Sequence, residues 1–416
     1  MSAGTRLATF FGVLRVRNYG IYTAGNAISL IGTWVQRVAL GWLTWELTGS
    51  AIWLGLIAFA DLVPTIIFGP IAGAVADRVN RLTMTRISQS VACLAAAGLF
   101  VLAASGSATM AGLLALTAIS GTAVAFNQPA RLALISSLVP RAHLPAAVAM
   151  NSVTFNLARF VGPAVAGMTI VTLGVAAAFA LNAASYLALL VALRWIRLDP
   201  DEPKPRRGNS LRADLVEGFR HVTTQPGLAA LFALTLTAGL CARPVIELLP
   251  GFADAVFDAG AMGLAWLTSA VGVGAVLAGV WLGGVPQSSG LTRLLGLLSG
   301  ATALALALFA LSGTLALALP AMVLTGFAMS GTGILTQTMI HLSVEHGLRG
   351  RVLGMYGILH RGGPALGALV MGALADLFGL HIPVLLGAGL VLAMAIWILW
   401  RRRAIAAALA LAPGRL

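Results

Sequence analysis

Charge is what this chain has least of. Only 9% of its 416 residues are Asp, Glu, Lys or Arg, while 59% are hydrophobic and the mean hydropathy is +0.94. A soluble domain of this size has no use for so much apolar surface. The apolar residues fall in blocks of about 20 residues or more, the length that crosses a bilayer. Lysine is nearly missing: Lys204 is the only one, and no glycine-rich phosphate loop surrounds it, which excludes an ATP-driven pump. The two cysteines, Cys93 and Cys241, stand alone in apolar runs with no pairing or metal-ligand spacing. They read as small packing residues, and no metal site is expected. A net charge of +13 would suggest nucleic acid as partner in a soluble protein. Here membrane topology is the better account, and no nucleic-acid partner is expected. No convergent catalytic set is visible, so the chain does not read as an enzyme and implies no cofactor.

What is present is a series of spans. Cutting the apolar runs at Gly, Pro and charge clusters gives 20–46, 51–75, 83–105, 109–136, 146–171, 174–197, 226–252, 260–284, 291–312, 314–341, 350–375 and 381–400. The basic N-terminus (Arg6, Arg15, Arg17) precedes a long run with no evident cleavage site, so it reads as a retained first span. With both termini on the cytoplasmic side, every Lys and Arg falls at an inner end, except Arg37, Arg159, Arg243 and Arg361, which lie inside spans. Adding or removing one span would scatter these charges, so an even number with both ends inside follows. The expected class is an all-α polytopic protein of a bacterial inner membrane, with twelve transmembrane helices in two six-helix bundles.

Residues 1–197 form the first expected bundle, 198–225 a cytoplasmic linker and 226–416 the second bundle. The start of the linker, DPDEPKPRRGNS, is polar and Pro-rich. Its later part, LRADLVEGFRHV, spaces Leu211, Leu215, Val216 and Phe219 as an amphipathic helix. That helix lies either on the inner membrane surface or on the protein's own cytoplasmic side. The bundles resemble each other: NLARFVGPAVAG in span 5 and ILHRGGPALGAL in span 11 each carry Arg, then Gly-Pro, then Gly. Arg37 in span 1 and Arg243 in span 7 lie at matching depth. Two like-oriented halves are the parallel-repeat plan of one large transporter class.

The connection after span 2, GAVADRVNRLTMTR, spends four charges in a chain that has few. Its G-x-x-x-D-R-x-x-R pattern, here Gly73, Asp77, Arg78 and Arg81, resembles the signature loop of the major facilitator superfamily. NAISLIGTWVQRVALGWLTWELTGSAIWLG (26–55), PARLALISSLVPR (129–141) and AMNSVTFNLARFVGPAVAG (149–167) resemble the branch containing the enterobactin exporter and bacterial macrolide and multidrug exporters. The resemblance covers essentially the whole chain. It implies that the loop's Asp77 and arginines hold the halves together on the cytoplasmic side when the outside is open, whereas Arg86 reads as a topology anchor only. It also implies that spans 1, 4, 7 and 10 line a cavity, that Gly162–Pro163 is a helix bend, and that the protein is a monomer. The family usually has Gly before the second Arg; here it is Asn80, which tolerates a left-handed turn. The loop after span 8, GGVPQSSGLTR, lacks the Asp-Arg pair, and span 4 lacks the RxxQG pattern of some drug exporters.

A charge at bilayer depth costs at least about 2.5 kcal/mol, so it must be paired or face a wet cavity. Counting 1.5 Å per helical residue puts Arg37 and Asp61 both near mid-membrane, and they are expected to pair. Arg243 and Glu247, four apart in span 7, are expected on one helical face. Such pairs are either structural, or Asp61 or Glu247 takes up a proton and releases its arginine to substrate. Asn26, Thr33 and Arg37 share one face of span 1; Ser330, Gln337 and His341 share one face of span 10. Spans 3, 9 and 12 are nearly devoid of deep polar groups, as lipid-facing helices should be. Arg159 and Arg361, which precede Gly162–Pro163 and Gly363–Pro364, reach either freed carbonyls or substrate. His341 and His360 are candidate proton carriers; His143, His221 and His346 read as loop residues.

Together these readings point to a secondary transporter driven by the proton gradient: an antiporter exporting a small organic molecule by alternating access. The direction rests on the resemblance. The surplus of deep arginine favours an anionic cargo such as a siderophore, with a hydrophobic drug as competitor. A lipid or lysophospholipid flippase, or a transporter-like receptor or scaffold without flux, are the alternatives.

Overall fold

The computed structural model describes residues 12–76, 78–197, 211–285 and 290–410. Its helices are α1 (Arg17–Thr48), α2 (Ala51–Ala76), α3 (Arg81–Ala104), α4 (Met110–Leu138), α5 (Leu144–Leu173), α6 (Val175–Trp195), α7 (Leu211–Thr224), α8 (Pro226–Cys241), α9 (Val245–Gly251), α10 (Gly260–Gly283), α11 (Leu291–Leu311), α12 (Leu315–Ser343), α13 (His346–Phe378) and α14 (His381–Ala410). No strand occurs among the described residues. Helix is what a bilayer imposes, because lipid offers the backbone no hydrogen-bond partner. Among the described residues, eleven stretches are long and apolar enough to cross a membrane, by length and composition. The twelfth expected span is α1; its 32 residues are ample, but Asn26, Gln36, Arg37 and Glu46 dilute its apolar character.

The chain packs as two compact units, Met1–Thr44 with Ala60–Arg207, and Trp45–Phe59 with Gly208–Leu416. The hairpin between α1 and α2 therefore packs with the second unit, although both helices continue into the first. In the first unit Tyr19, Leu134, Leu138 and Leu193 form a core, and the Tyr19 hydroxyl donates to the Ala147 carbonyl at 2.7 Å. In the second, Leu228, Leu231, Ile340, Val352 and Ile398 pack together.

The lipid-facing helices carry their apolar residues outward at seven-residue steps. Ile87, Leu94 and Val101 are exposed on α3, and Leu297, Leu304 and Leu311 on α11. On α14, Leu386, Ala393 and Trp400 are exposed in the same way. In lipid this exposure costs nothing.

Three local expectations need correction. Asn80 does not adopt a left-handed turn: its φ is −57° and ψ 123°, and its side chain accepts from the N–H groups of Leu82 and Thr83 at 2.9 and 3.1 Å. It is the N-cap of α3, and satisfying two orphan N–H groups is worth more there than backbone latitude. Span 7 is not one helix: α8 ends at Cys241 and α9 begins at Val245, with a π-helical turn, Phe252–Val256, after it. His221 lies on α7 and His346 opens α13, so neither is a loop residue; His143 sits in a short 3-10 turn, Arg141–His143. The start of the linker, 198–210, with Lys204, lies outside the described residues. Its helix α7 packs on α13 and α8, with Glu217 Oε1 at 2.8 Å from Arg351 Nη1 and Val222 in the core. Phe219, expected on the apolar face, is 61% exposed.

Asn80→Ala should cost about 1 kcal/mol and lower the thermal unfolding midpoint in detergent, whereas Asn80→Asp, also a cap, should leave it nearly unchanged.

Candidate transport site

Among the described residues, each unit holds a cluster of polar side chains at mid-span. In the first unit α1 supplies Trp34 and Arg37, three apart and so on one face, and α5 supplies Arg159 and Gly162 in the same spacing. The Arg37 guanidinium lies 5.7 Å from the Trp34 ring centroid and the Arg159 guanidinium 5.8 Å. The electron-rich face of one indole thus serves two cations, an attraction of about 0.5–2 kcal/mol each. Phe155 meets the same indole edge-on at 6.2 Å. Gly162 is what lets α5 come this close. A β-carbon there would run into the Trp34 side chain and lie 3.3 Å from the Ile31 carbonyl oxygen. Both arginines are half-buried.

Beside this cluster runs a polar seam between α1 and α6. Gln36 Oε1 accepts from Asn182 Nδ2 at 2.7 Å, and Asn182 Oδ1 accepts from the Ser185 hydroxyl at 3.0 Å. Thr33 Oγ1 and the Tyr186 hydroxyl lie 3.3 Å apart. A β-carbon on Gly32 would stand 2.7 Å from Asn182 Oδ1, so glycine again permits the approach. Asn26 is buried on the same helix. Asp61, half-buried on α2, lies within electrostatic reach of Tyr186. Its backbone presses on Gly121 of α4, where a β-carbon would be 3.1 Å from the Asp61 carbonyl carbon.

In the second unit the cluster forms at the break in span 7. Pro244 has no N–H to give the Leu240 carbonyl, and the Arg243 N–H goes to Ala238, so the helix cannot continue. Arg243 and Glu247 are therefore not on one continuous helical face. Arg243 projects from the turn, and Glu247 sits half-buried in the first turn of α9, where a carboxylate suits the helix dipole. Arg243 Nη1 lies 2.7 Å from His360 Nε2 and 3.1 Å from the His360 carbonyl oxygen. A guanidinium only donates, so Nε2 is the acceptor and the ring carries its proton on Nδ1. The Tyr356 ring packs 5.3 Å from the imidazole. Glycines again set the spacing: a β-carbon on Gly363 would be 3.1 Å from the Gly239 α-carbon, and one on Gly367 would be 2.6 Å from Pro244 Cγ. Arg361 and Pro364 flank this contact. Pro163 and Pro364 both lie inside helices, α5 and α13, that run unbroken past them.

The remaining candidates lie elsewhere. On α12, Ser330 is half-buried and Gln337 and His341 are exposed. In the signature loop Gly73 has open space around it and Arg78 is exposed, while Arg81 donates to the Ser137 hydroxyl at 2.9 Å. Asp77 lies outside the described residues. Arg86 donates to the Leu193 carbonyl at 2.6 Å, near the end of α6. No group of His, Cys and carboxylate side chains suited to a metal occurs among the described residues. Sequence reasoning missed Trp34, Gln36, Asn182, Ser185 and Tyr356; Trp34, Gln36 and Tyr356 were signalled by a nearby mid-span glycine, Asn182 and Ser185 only as polar residues in an apolar run.

The family described as transmembrane secretion effector matches residues 8–413. The chain belongs to it. This family is part of the major facilitator superfamily, whose members here are transporters and not enzymes, so the chain is a multi-pass membrane transporter. It is 27% identical to the multidrug efflux pump Tap of Mycolicibacterium fortuitum, over 86% of this chain and 87% of the relative. It is 26% identical to the enterobactin exporter EntS of Shigella flexneri, over 80% and 77%. With the staphyloferrin A transporter of Staphylococcus aureus it shares 24% identity, over 86% and 90%. The fold is that of the crystal structure of the nucleoside transporter NupG, with a TM-score of 0.71 at 17% identity over 94% of this chain and 99% of that one.

Gly363→Val should wedge α8 and α13 apart, costing about 1–3 kcal/mol or preventing folding. Gly357→Val, on the same helix with nothing within 4 Å, should be tolerated. Thermal unfolding of the two variants decides the comparison.

Proposed function

We propose that this transporter is a proton-coupled antiporter that exports a small organic molecule bearing an anionic group, such as a siderophore or an acidic drug, by alternating access. The reading places it as a monomer in a bacterial inner membrane, with both termini cytoplasmic. The observation that carries it is the Trp34 indole with Arg37 and Arg159 against it. Two half-buried guanidiniums beside an aromatic face offer forked donors for a carboxylate or catecholate and a surface on which an aromatic ring can stack. Arg243, projecting from a discontinuous helix, is a second anion-seeking group of the sort that transporter sites use at mid-membrane. Arg361 stands next to its partner His360. Two relatives are named for enterobactin and staphyloferrin A, which agrees with such a cargo.

In this reading Asp61 and Glu247 exchange a proton with the cavity, and their charge state sets whether Arg37 and Arg243 are available to cargo. Asn26 and Gln337 supply neutral hydrogen bonds to it. Gly73, Asp77, Arg78 and Arg81 form the cytoplasmic gate. Gly162–Pro163 and Gly363–Pro364 are the points at which α5 and α13 flex.

The test is the thermal stability of the purified protein with enterobactin, with a lipophilic cationic drug and with a lysophospholipid, at two pH values. A ligand at 100 times its dissociation constant stabilises by about 2.7 kcal/mol, which raises the midpoint measurably. Enterobactin should stabilise, and Arg37→Gln or Arg243→Gln should remove the effect. Stabilisation by the cationic drug or the lysolipid alone would overturn the anionic cargo. In vesicles, cargo movement that persists unchanged when a protonophore collapses the pH gradient would overturn the coupling.

A further inference from the structure

The first turn of any helix leaves N–H groups without partners, and a side chain just before the helix usually meets them. At the start of α2 that role falls to a residue more than three hundred positions away. Asp376 Oδ1 accepts from the Ala51 N–H at 2.6 Å, and Oδ2 accepts from the Ile52 N–H at 3.3 Å. The Ser50 hydroxyl, at the position where a local cap would sit, donates to Asp376 Oδ2 at 2.5 Å. Asp376 lies in the last turn of α13, where the carbonyl end of its own helix disfavours a negative charge. Its placement is unfavourable for α13 and favourable for α2.

The surrounding backbone is shaped for the same contact. Gly49, with φ +58°, turns the chain from α1 into α2. A β-carbon on Gly372 would lie 2.5 Å from the Ala51 carbonyl oxygen, and one on Gly55 would lie 2.9 Å from the Ala368 carbonyl carbon. The helices touch backbone to backbone at two points about one turn apart. On the other arm of the hairpin, Trp45 Nε1 donates to Asp254 Oδ2 at 2.9 Å. These contacts place Trp45–Phe59 with the second unit, while α1 and α2 run on into the first. The hairpin lies at the end of the spans that the arginine distribution assigns to the outside. Asp376 and Asp254 are exposed, so their bonds are exchangeable for water.

We propose that Asp376 is the acceptor of a releasable latch, which holds the Trp45–Phe59 hairpin on the second unit and lets go when the outer side opens. The inference rests on the alternating-access reading above, but not on its cargo or on proton coupling. The latch uses a carboxylate on a helix start, a charge-assisted bond strong enough to bias an equilibrium and weak enough in water to break each cycle.

The test labels Leu54→Cys, a hairpin position only 3% exposed, in a background of Cys93→Ala and Cys241→Ala. A membrane-impermeant maleimide is added to whole cells or to inside-out vesicles. Asp376→Ala should raise the rate of labelling from outside roughly fivefold, Ser50→Ala should raise it less, and Asp376→Glu should restore it. Equal rates in Asp376→Ala and the parent would overturn the latch, and labelling only in inside-out vesicles would overturn its outer placement. Should Asp376→Ala fail to fold, the Ser50→Ala comparison still decides, since it removes a single hydroxyl. The readout needs no cargo. A failed enterobactin shift with accelerated labelling would therefore remove the cargo reading and leave the latch.

Discussion

A guanidinium inside a bilayer has to be met by something other than bulk water, and much of this structure follows from that demand. Four arginines lie inside spans, and those whose contacts are described each lie against a group that no charge count would nominate. Arg37 and Arg159 rest on one indole, and Arg243 on a neutral imidazole and a carbonyl. Such partners hold a cation without neutralising it. Each contact offsets part of a burial cost of at least about 2.5 kcal/mol per charge.

Glycine makes these meetings geometrically possible, and it does so in parallel in the two units. Gly162 of α5 lies on Trp34 of α1; Gly363 of α13 lies on Gly239 of α8. The Arg-x-x-Gly-Pro and Arg-Gly-Gly-Pro phrases are thus halves of a repeated device. In the first, Arg159 reaches the Trp34 indole past a helix contact that only a residue without a side chain permits. The prolines sit within helices that continue, and the true interruption falls in span 7.

The spans, their number and the lipid-facing helices were legible because hydropathy and arginine placement are one-dimensional signals. The identity of the deep charged residues was legible for the same reason: in a chain with 9% charge they stand out. The neutral and aromatic groups around them were not. Trp34 is one apolar residue among many until α5 is laid against it, and Gln36 and Asn182 meet across 146 positions of chain. Asn80 was read through backbone preference, yet its side-chain oxygen decided its role. Counting four residues from Arg243 to Glu247 presumed a continuous helix, and Pro244 between them was the available warning.

The break between α8 and α9 carries one more implication. A helix that stops inside a membrane uncovers main-chain polar groups, and here the Leu240 carbonyl has lost the donor that Pro244 cannot provide. That oxygen faces Gly367 of α13, where a β-carbon would press on it, and it belongs to no side chain. A map of this region drawn by replacing residues with alanine would register it only at Pro244, where alanine restores an N–H, and at Gly367, where alanine adds that β-carbon. Part of what seats α13 on this break is therefore written in the shape of the main chain, and would persist through extensive drift of the side chains around it.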